Sequence, residues 1–311
     1  GKPWVRMAVV RCLTRSFNAP RALAAVLGRP RMLSDEEDPE AKRRRIMEIF
    51  EEKERRRAQH KGLKPKLDKN LYRSPLRDPG EENYDEGNLY ENNCIILDPT
   101  EHKYTLIWLH GLDEDNTKGG TLLQMTSRDD VRVVVPNAPK IPLTALDEME
   151  VRAWWDIEKE NSQGDEEDEE DTAGIRESHQ AVLKLLRNEE KMVGSENIIL
   201  AGFGQGAALA LHTALRFPRK LCGVMSWSGY LVERDNYPDD ISEANEELKI
   251  LAYHGRKDDV ILPQVAMPAF KELREYGVAV EFRLVPKMGH YVDHMQWPQG
   301  FDWCMRQFQS K

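Results

Sequence analysis

Four short stretches carry residues whose types and order suit acyl-transfer chemistry. Gly202-Phe203-Gly204-Gln205-Gly206 lies between an apolar run and a helical stretch (NIILAGFGQGAALALHTAL), which predicts a sharp strand-to-helix turn. A serine in the middle of such a Gly-x-Ser-x-Gly turn would stand above the sheet as a nucleophile, with small neighbours letting strand and helix approach closely. Here the middle residue is Gly204. Upstream, His110-Gly111-Leu112 ends a strand-like run; downstream, Asp258 follows the run ending His254-Gly255, and His290 follows the run ending Val285-Pro286. Nucleophile position, acid and base in that order form one of the sequences in which Ser-Asp-His hydrolysis is built. Taken alone, glycine pairs in a strand-turn-helix also suit phosphate binding at a helix N-terminus.

The surrounding elements must position these residues. From Asn93 onward short apolar strands alternate with helical stretches: CIILD, YTLIWL (Tyr104–Leu109), VRVVV (131–135), NIILAGF (197–203), LCGVMSWS (221–228), KILAYHG (249–255) and VEFRLVP (280–286). Continuous apolar runs of this kind read as parallel strands buried on both faces. Helices are expected at about 174–192, 206–216, 264–276 and 294–309. Strand then helix, repeated, predicts a doubly wound, mostly parallel α/β sheet over residues 93–311. The run GDEEDEED (164–171) reads as a solvated loop between elements.

Residues 1–92 differ in kind. They carry 21 Lys and Arg against 16 Asp and Glu, leaving 24 against 38 of the chain's 45 and 54 for the remainder. Within residues 1–34 there are seven basic residues and no acidic one, the look of a mitochondrial transit peptide, against the plainer reading of a basic arm. The segment from Ser34 begins acidic and ends basic, which favours a helix over about 35–59, and residues 63–92 show no period and should be extended. So little apolar surface cannot offset a backbone entropy of about 1–2 kcal/mol per residue. Residues 1–92 are therefore expected to lie along partner protein subunits of a larger assembly. The acidic remainder disfavours direct nucleic-acid binding. Cys12, Cys94, Cys222 and Cys304 form no CxxC pair, so neither a disulfide framework nor a metal site is indicated, and no cofactor is expected. The longest apolar runs fall well short of the roughly 18–20 residues of a transmembrane helix.

The text LIWLHGL (106–112), VVPNAPKIPLT (134–144), RAWWDI (152–157), DTAGIRESHQAVLKLL (171–186), IILAGFGQGAALALHTAL (198–215), HGRKDDVI (254–261) and PKMGH (286–290) resembles the phospholipase/carboxylesterase family, which includes the acyl-protein thioesterases, across roughly residues 95–310. The resemblance implies the α/β-hydrolase fold. It also implies roles: Gly204 at the nucleophile position, Asp258 as acid, His290 as base, and the backbone N–H groups of Leu112 and Gln205 as the oxyanion hole. His110 would position the oxyanion loop, and Trp154 and Trp155 resemble residues near the acyl pocket. Two departures stand out: Asp113 where the family has glycine, a carboxylate that would oppose charge in the hole, and Arg256 and Lys257 beside the acid.

Glycine at the nucleophile position has a double consequence. A serine there is strained by about 1–3 kcal/mol, whereas glycine adopts the region freely. Losing a triad nucleophile costs on the order of 10⁶ in turnover in a serine protease. The expectation drawn is a catalytically inactive serine-hydrolase fold, a natural pseudoenzyme serving as a structural or accessory subunit of a mitochondrial assembly. A respiratory complex or ATP synthase fits that expectation better than the mitochondrial ribosome, and a lipid or acyl chain could remain in the old pocket. An engineered inactive variant would more commonly carry alanine. The alternative is an active carboxylesterase or acyl-thioesterase of unusual mechanism, in which His290, paired to Asp258, activates water in the space of the missing side chain. Ser226 and Ser228, at the end of a neighbouring strand, read as lining residues.

Overall fold

The computed structural model describes residues 94–117, 128–157, 170–293 and 295–310, all within the compact unit Asp68–Lys311. The basic arm 1–92, with its expected helix, extended segment and partner contacts, lies outside the described residues, as does most of the acidic run 164–171.

A seven-stranded sheet carries the architecture, in the order β1-β3-β2-β6-β7-β8-β9. Its strands are β1 (Ile95–Leu97), β2 (Tyr104–Leu109), β3 (Val131–Val135), β6 (Ile198–Phe203), β7 (Gly223–Trp227), β8 (Lys249–Gly255) and β9 (Ala279–Val285). All neighbours run parallel except β1, which pairs antiparallel with β3 at the edge. The expected doubly wound, mostly parallel sheet is therefore present, with one antiparallel edge that an apolar run alone does not reveal. A separate antiparallel hairpin, β4 (Lys140–Leu143) and β5 (Met149–Arg152), was not anticipated, because KIPL and MEVR are short and mixed in polarity.

Side chains alternate across the pleat and so divide the core in two. Ile107, Leu109, Leu200 and Val224 face one side, where they meet α1 (Thr172–Val193), α2 (Gln205–Arg216) and α3 (Pro263–Glu275) through Leu186, Leu211 and Phe270. Leu106, Trp108, Ala201, Met225 and Trp227 face the other side and pack against α4 (Trp297–Gln309). There Trp297 sits 5.3 Å from both Trp108 and Trp227. Strands β2, β6 and β7 are almost wholly buried, as their unbroken apolar text implies. Edge strand β9 is only partly buried. These packed central strands fix the heights at which their C-terminal loops emerge.

Candidate active site

The strand register aligns the candidate residues along one edge of the sheet. Phe203 on β6 pairs with Trp227 on β7, and Trp227 with Tyr253 on β8. The next residue along each strand opens the loops that hold the site. At the end of β6 the chain turns at Gly204 (φ +53°, ψ −122°) and enters α2 at once. Space makes glycine necessary at Gly206, where a Cβ would lie 2.6 Å from the Leu109 carbonyl carbon. At Gly204 a Cβ would meet nothing nearer than His290 Nε2 at 3.4 Å, His290 Cε1 at 3.6 Å and Gly111 Cα at 4.0 Å. Gly204 has room for a side chain, and that side chain would point at the imidazole.

His290 and Asp258 are brought together as expected. His290 Nδ1 lies 3.1 and 3.0 Å from Asp258 Oδ1 and Oδ2. Asp258 Oδ1 also accepts from Val260 N–H at 3.1 Å and Ile261 N–H at 2.9 Å, so the carboxylate pins its own loop. Burial opposes its charge, yet the hydrogen bond and charge of His290 outweigh that and hold the carboxyl below the ordinary carboxylate range. With Nδ1–H directed at the carboxylate, Nε2 keeps its lone pair for a proton delivered from the Gly204 side. The Phe203 ring, 4.6 Å from that of His290, packs beside it.

On the oxyanion side, His110 is buried, and its Nε2 accepts from Ala138 N–H at 2.9 Å while Nδ1–H donates to Gly111 O at 2.8 Å. Burial lowers its pKa, consistent with a neutral ring that locks the loop. Trp154 Nε1–H donates to His110 O at 2.9 Å. The Gln205 side chain ties α2 to the same segment, accepting from Trp154 N–H at 2.8 Å and donating to Trp155 O at 2.9 Å. Trp154 and Trp155 are both buried, and the Trp154 indole holds the loop through His110 O. Among the described residues, the backbone N–H groups of Leu112 and Gln205 make no hydrogen bond within the chain, which leaves the two expected oxyanion donors available.

Asp113 adopts φ +52°, a conformation natural to glycine, and its N–H donates to Arg152 O at 2.8 Å. The carboxylate that reaches the loop is Glu114, which accepts from Gly111 N–H at 3.1 Å; no motif pointed to it. Arg256 and Lys257 are exposed, and their N–H groups hold the acid loop to Val285 O and Met288 O. Also missed was His254, fully buried behind the acid, whose Nε2–H donates to Ile261 O at 2.8 Å. Ser226, within β7, and Ser228, one residue past its end, are fully buried. No group of three or more His, Cys, Asp or Glu suited to a metal occurs among the described residues.

A parallel sheet, a strand-to-helix elbow and an acid–base pair on the following loops define an α/β-hydrolase. More narrowly, residues 91–298 match the phospholipase/carboxylesterase family, and the chain belongs to that family. A Dictyostelium discoideum protein named acyl-protein thioesterase 1 homolog 1 is 31% identical over 209 residues, 65% of this chain and 90% of its own. Acyl-protein thioesterase 1 of Aspergillus fumigatus is 30% identical over 203 residues, 63% and 84% of the two chains. Among solved structures, Zea mays acyl-protein thioesterase 2 superposes with a TM-score of 0.63 at 24% identity, covering 70% of this chain and 99% of that one. Arabidopsis thaliana SOBER1 gives 0.61 at 25% identity, covering 66% and 99%.

These likenesses correct the functional expectation. A catalytically inactive accessory subunit that is not an enzyme is contradicted by relatives named as thioesterases. The physical error lay in letting one missing side chain decide. His290 and Asp258 retain the geometry of a general base, and such a base can act on water as well as on a serine hydroxyl.

Proposed function

We propose that this chain hydrolyses carboxylic thioesters and esters, with His290 activating a water molecule at Gly204 in place of a serine. The carrying observation is the 3.4 Å from His290 Nε2 to the point where a Gly204 side chain would begin, with Nδ1 already engaged by Asp258. A water there donates its proton to Nε2 and attacks the acyl carbon, and the carbonyl oxygen gathers charge against the N–H groups of Leu112 and Gln205. When the intermediate collapses, the imidazolium returns the proton to the departing sulfur or oxygen. One water is consumed, and an acid and a thiol or alcohol leave. No acyl-enzyme forms.

The mechanism favours thioesters. A departing thiol, with an ordinary pKa of about 8.5, needs far less help than an alkoxide. The names of the relatives support the same substrate class. Turnover should be slow, since a direct water path forgoes the covalent intermediate that divides the barrier. The test offers the purified chain a short-chain nitrophenyl ester and a fluorophosphonate probe. Turnover that disappears in His290→Ala, with no labelling by the probe, supports the proposal; labelling of the wild-type chain would demand a nucleophile and overturn it.

Three finer points belong to the same proposal. Residues 1–34 direct the protein to mitochondria, an idea supported by seven basic residues without an acidic one. Residues 1–92 bind protein, which their poverty in apolar surface supports. The acyl chain of the substrate lies near Trp154 and Trp155, an idea supported by their likeness to residues near the family's acyl pocket.

A further inference from the structure

Ser228 stands one residue past β7, between the elbow at the end of β6 and the acid loop that follows β8. Two backbone bonds fix its place: Gly204 N–H donates to Trp227 O at 2.9 Å, and Ser228 N–H to Tyr253 O at 2.8 Å. Because Trp227 pairs with Tyr253, Ser228 falls level with His254 on the adjacent strand. Its backbone is held at φ +48°, the left-handed region open to glycine and resisted by a residue with a Cβ. The side chain is fully buried, and among the described residues its hydroxyl makes no hydrogen bond of normal geometry. Folding alone opposes a buried, unpartnered polar group on strained backbone, and such features collect at functional sites.

One group nearby has a use for that hydroxyl. Asp258 Oδ1 already accepts from Val260 N–H, Ile261 N–H and His290 Nδ1–H. Oδ2 has His290 Nδ1 at 3.0 Å, while His254 Nε2 stays at 3.5 Å with its proton committed to Ile261 O. Among the described residues, Oδ2 therefore retains acceptor capacity. Ser228 falls level with His254, which lies 3.5 Å from Oδ2, and its hydroxyl is among the groups that favour the charged carboxylate.

Resting on the hydrolase reading above, we propose that Ser228 is a positioning residue whose hydroxyl turns onto Asp258 Oδ2 and fixes the carboxylate behind His290 as the imidazolium forms. It touches neither substrate nor water and acts only through Asp258. A purely structural serine would behave differently, because glycine at φ +48° relieves strain and would leave catalysis untouched.

The test compares Ser228→Gly and Ser228→Ala with the parent chain in melting temperature, in kcat and KM for a short-chain thioester, and in an NMR pH titration of the His290 imidazole. In Ser228→Gly the melting temperature holds or rises, while kcat falls about three- to tenfold at unchanged KM, the size of one lost ordinary hydrogen bond. Ser228→Ala shows the same loss of kcat without the gain in stability. Loss of the hydroxyl dipole leaves the negative charge beside His290 less offset, so its titration midpoint moves to higher pH in both variants, as does the acid limb of the rate profile. A midpoint identical to that of the parent overturns the proposal. Because the titration requires no reaction, it judges Ser228 even if the parent shows no turnover, a result that would strike the hydrolase reading alone.

Discussion

His290 bridges two neighbours: Nδ1 is 3.0 Å from Asp258 Oδ2, and Nε2 is 3.4 Å from where a Cβ on Gly204 would stand. The base is thus oriented by its acid and aimed at a backbone with no side chain. In the proposed mechanism the group that accepts its help is water.

Restoring the serine should convert one mechanism into another. In Gly204→Ser, the new hydroxyl starts from a Cβ already in contact distance of Nε2, so a fluorophosphonate probe should label the variant covalently at position 204. A pre-steady-state burst of nitrophenol should accompany the labelling. The left-handed backbone at φ +53° imposes strain of about 1–3 kcal/mol, so the melting temperature should fall. Intact-mass measurement after probe treatment checks the first outcome and calorimetry the second.

The elbow's neighbouring glycine should be far less tolerant. Gly206→Ala would drive a methyl group into the carbonyls of Leu109 and His110, which are backbone atoms with nowhere to go. Overpacking of this kind costs about 1–3 kcal/mol or more. We expect a larger loss of stability than in Gly204→Ala, measured by urea denaturation of the two variants side by side.

Asp258→Asn should reduce turnover by on the order of 10²–10⁴-fold, because the imidazole loses both the partner that sets its tautomer and the charge that stabilises its protonated form. Acid should act on the same group. The folded carboxyl is held below its unfolded value, so its contribution is present above the ordinary carboxylate range and is lost as pH falls through the lowered folded value. Turnover followed in parent and variant, with a pH titration of stability, checks both.

A second acid-sensitive region lies away from the site. His212 and His179 stack edge to face at 5.0 Å, with Arg216 Nη1 bonded to His212 Nδ1 at 2.9 Å. Burial, with the charge of Arg216 second, lowers His179 to about 4 and His212 to about 2. Unfolding frees both to bind protons near pH 6.5. Stability should therefore decline as pH falls from about 6.5 towards 4. His179→Gln should flatten that decline, as read from urea midpoints at several pH values.

Much of this was legible in the residues, and the reasons are specific. LIWL and IILAGF are apolar without a break because β2 and β6 are buried on both faces, so their text announces a parallel core. Asp258 and His290 were legible because each lies in the loop after a strand, three residues past the end of β8 and five past the end of β9. The β4–β5 hairpin was not, since its strands are four residues each and one holds Pro142. Glu114 and His254 were hidden because their roles rest on local loop-closing bonds, to Gly111 N–H and Ile261 O, that no motif announces, and Ser228 read only as lining because its place depends on a backbone angle and on Tyr253 of the neighbouring strand. The functional expectation failed where it weighed Gly204 alone and gave too little to the pair still aimed at it.

The central claim is that water, activated by His290, attacks the acyl carbon without a covalent intermediate. Hydrolysis of a short-chain acyl thioester in ¹⁸O-labelled water, followed by mass spectrometry of product and protein under single-turnover conditions, tests it most directly. The account predicts one ¹⁸O in the released acid, no acylated protein at any time, and loss of the reaction in His290→Ala. An acyl group found on the protein, or release no faster than in buffer, would contradict it.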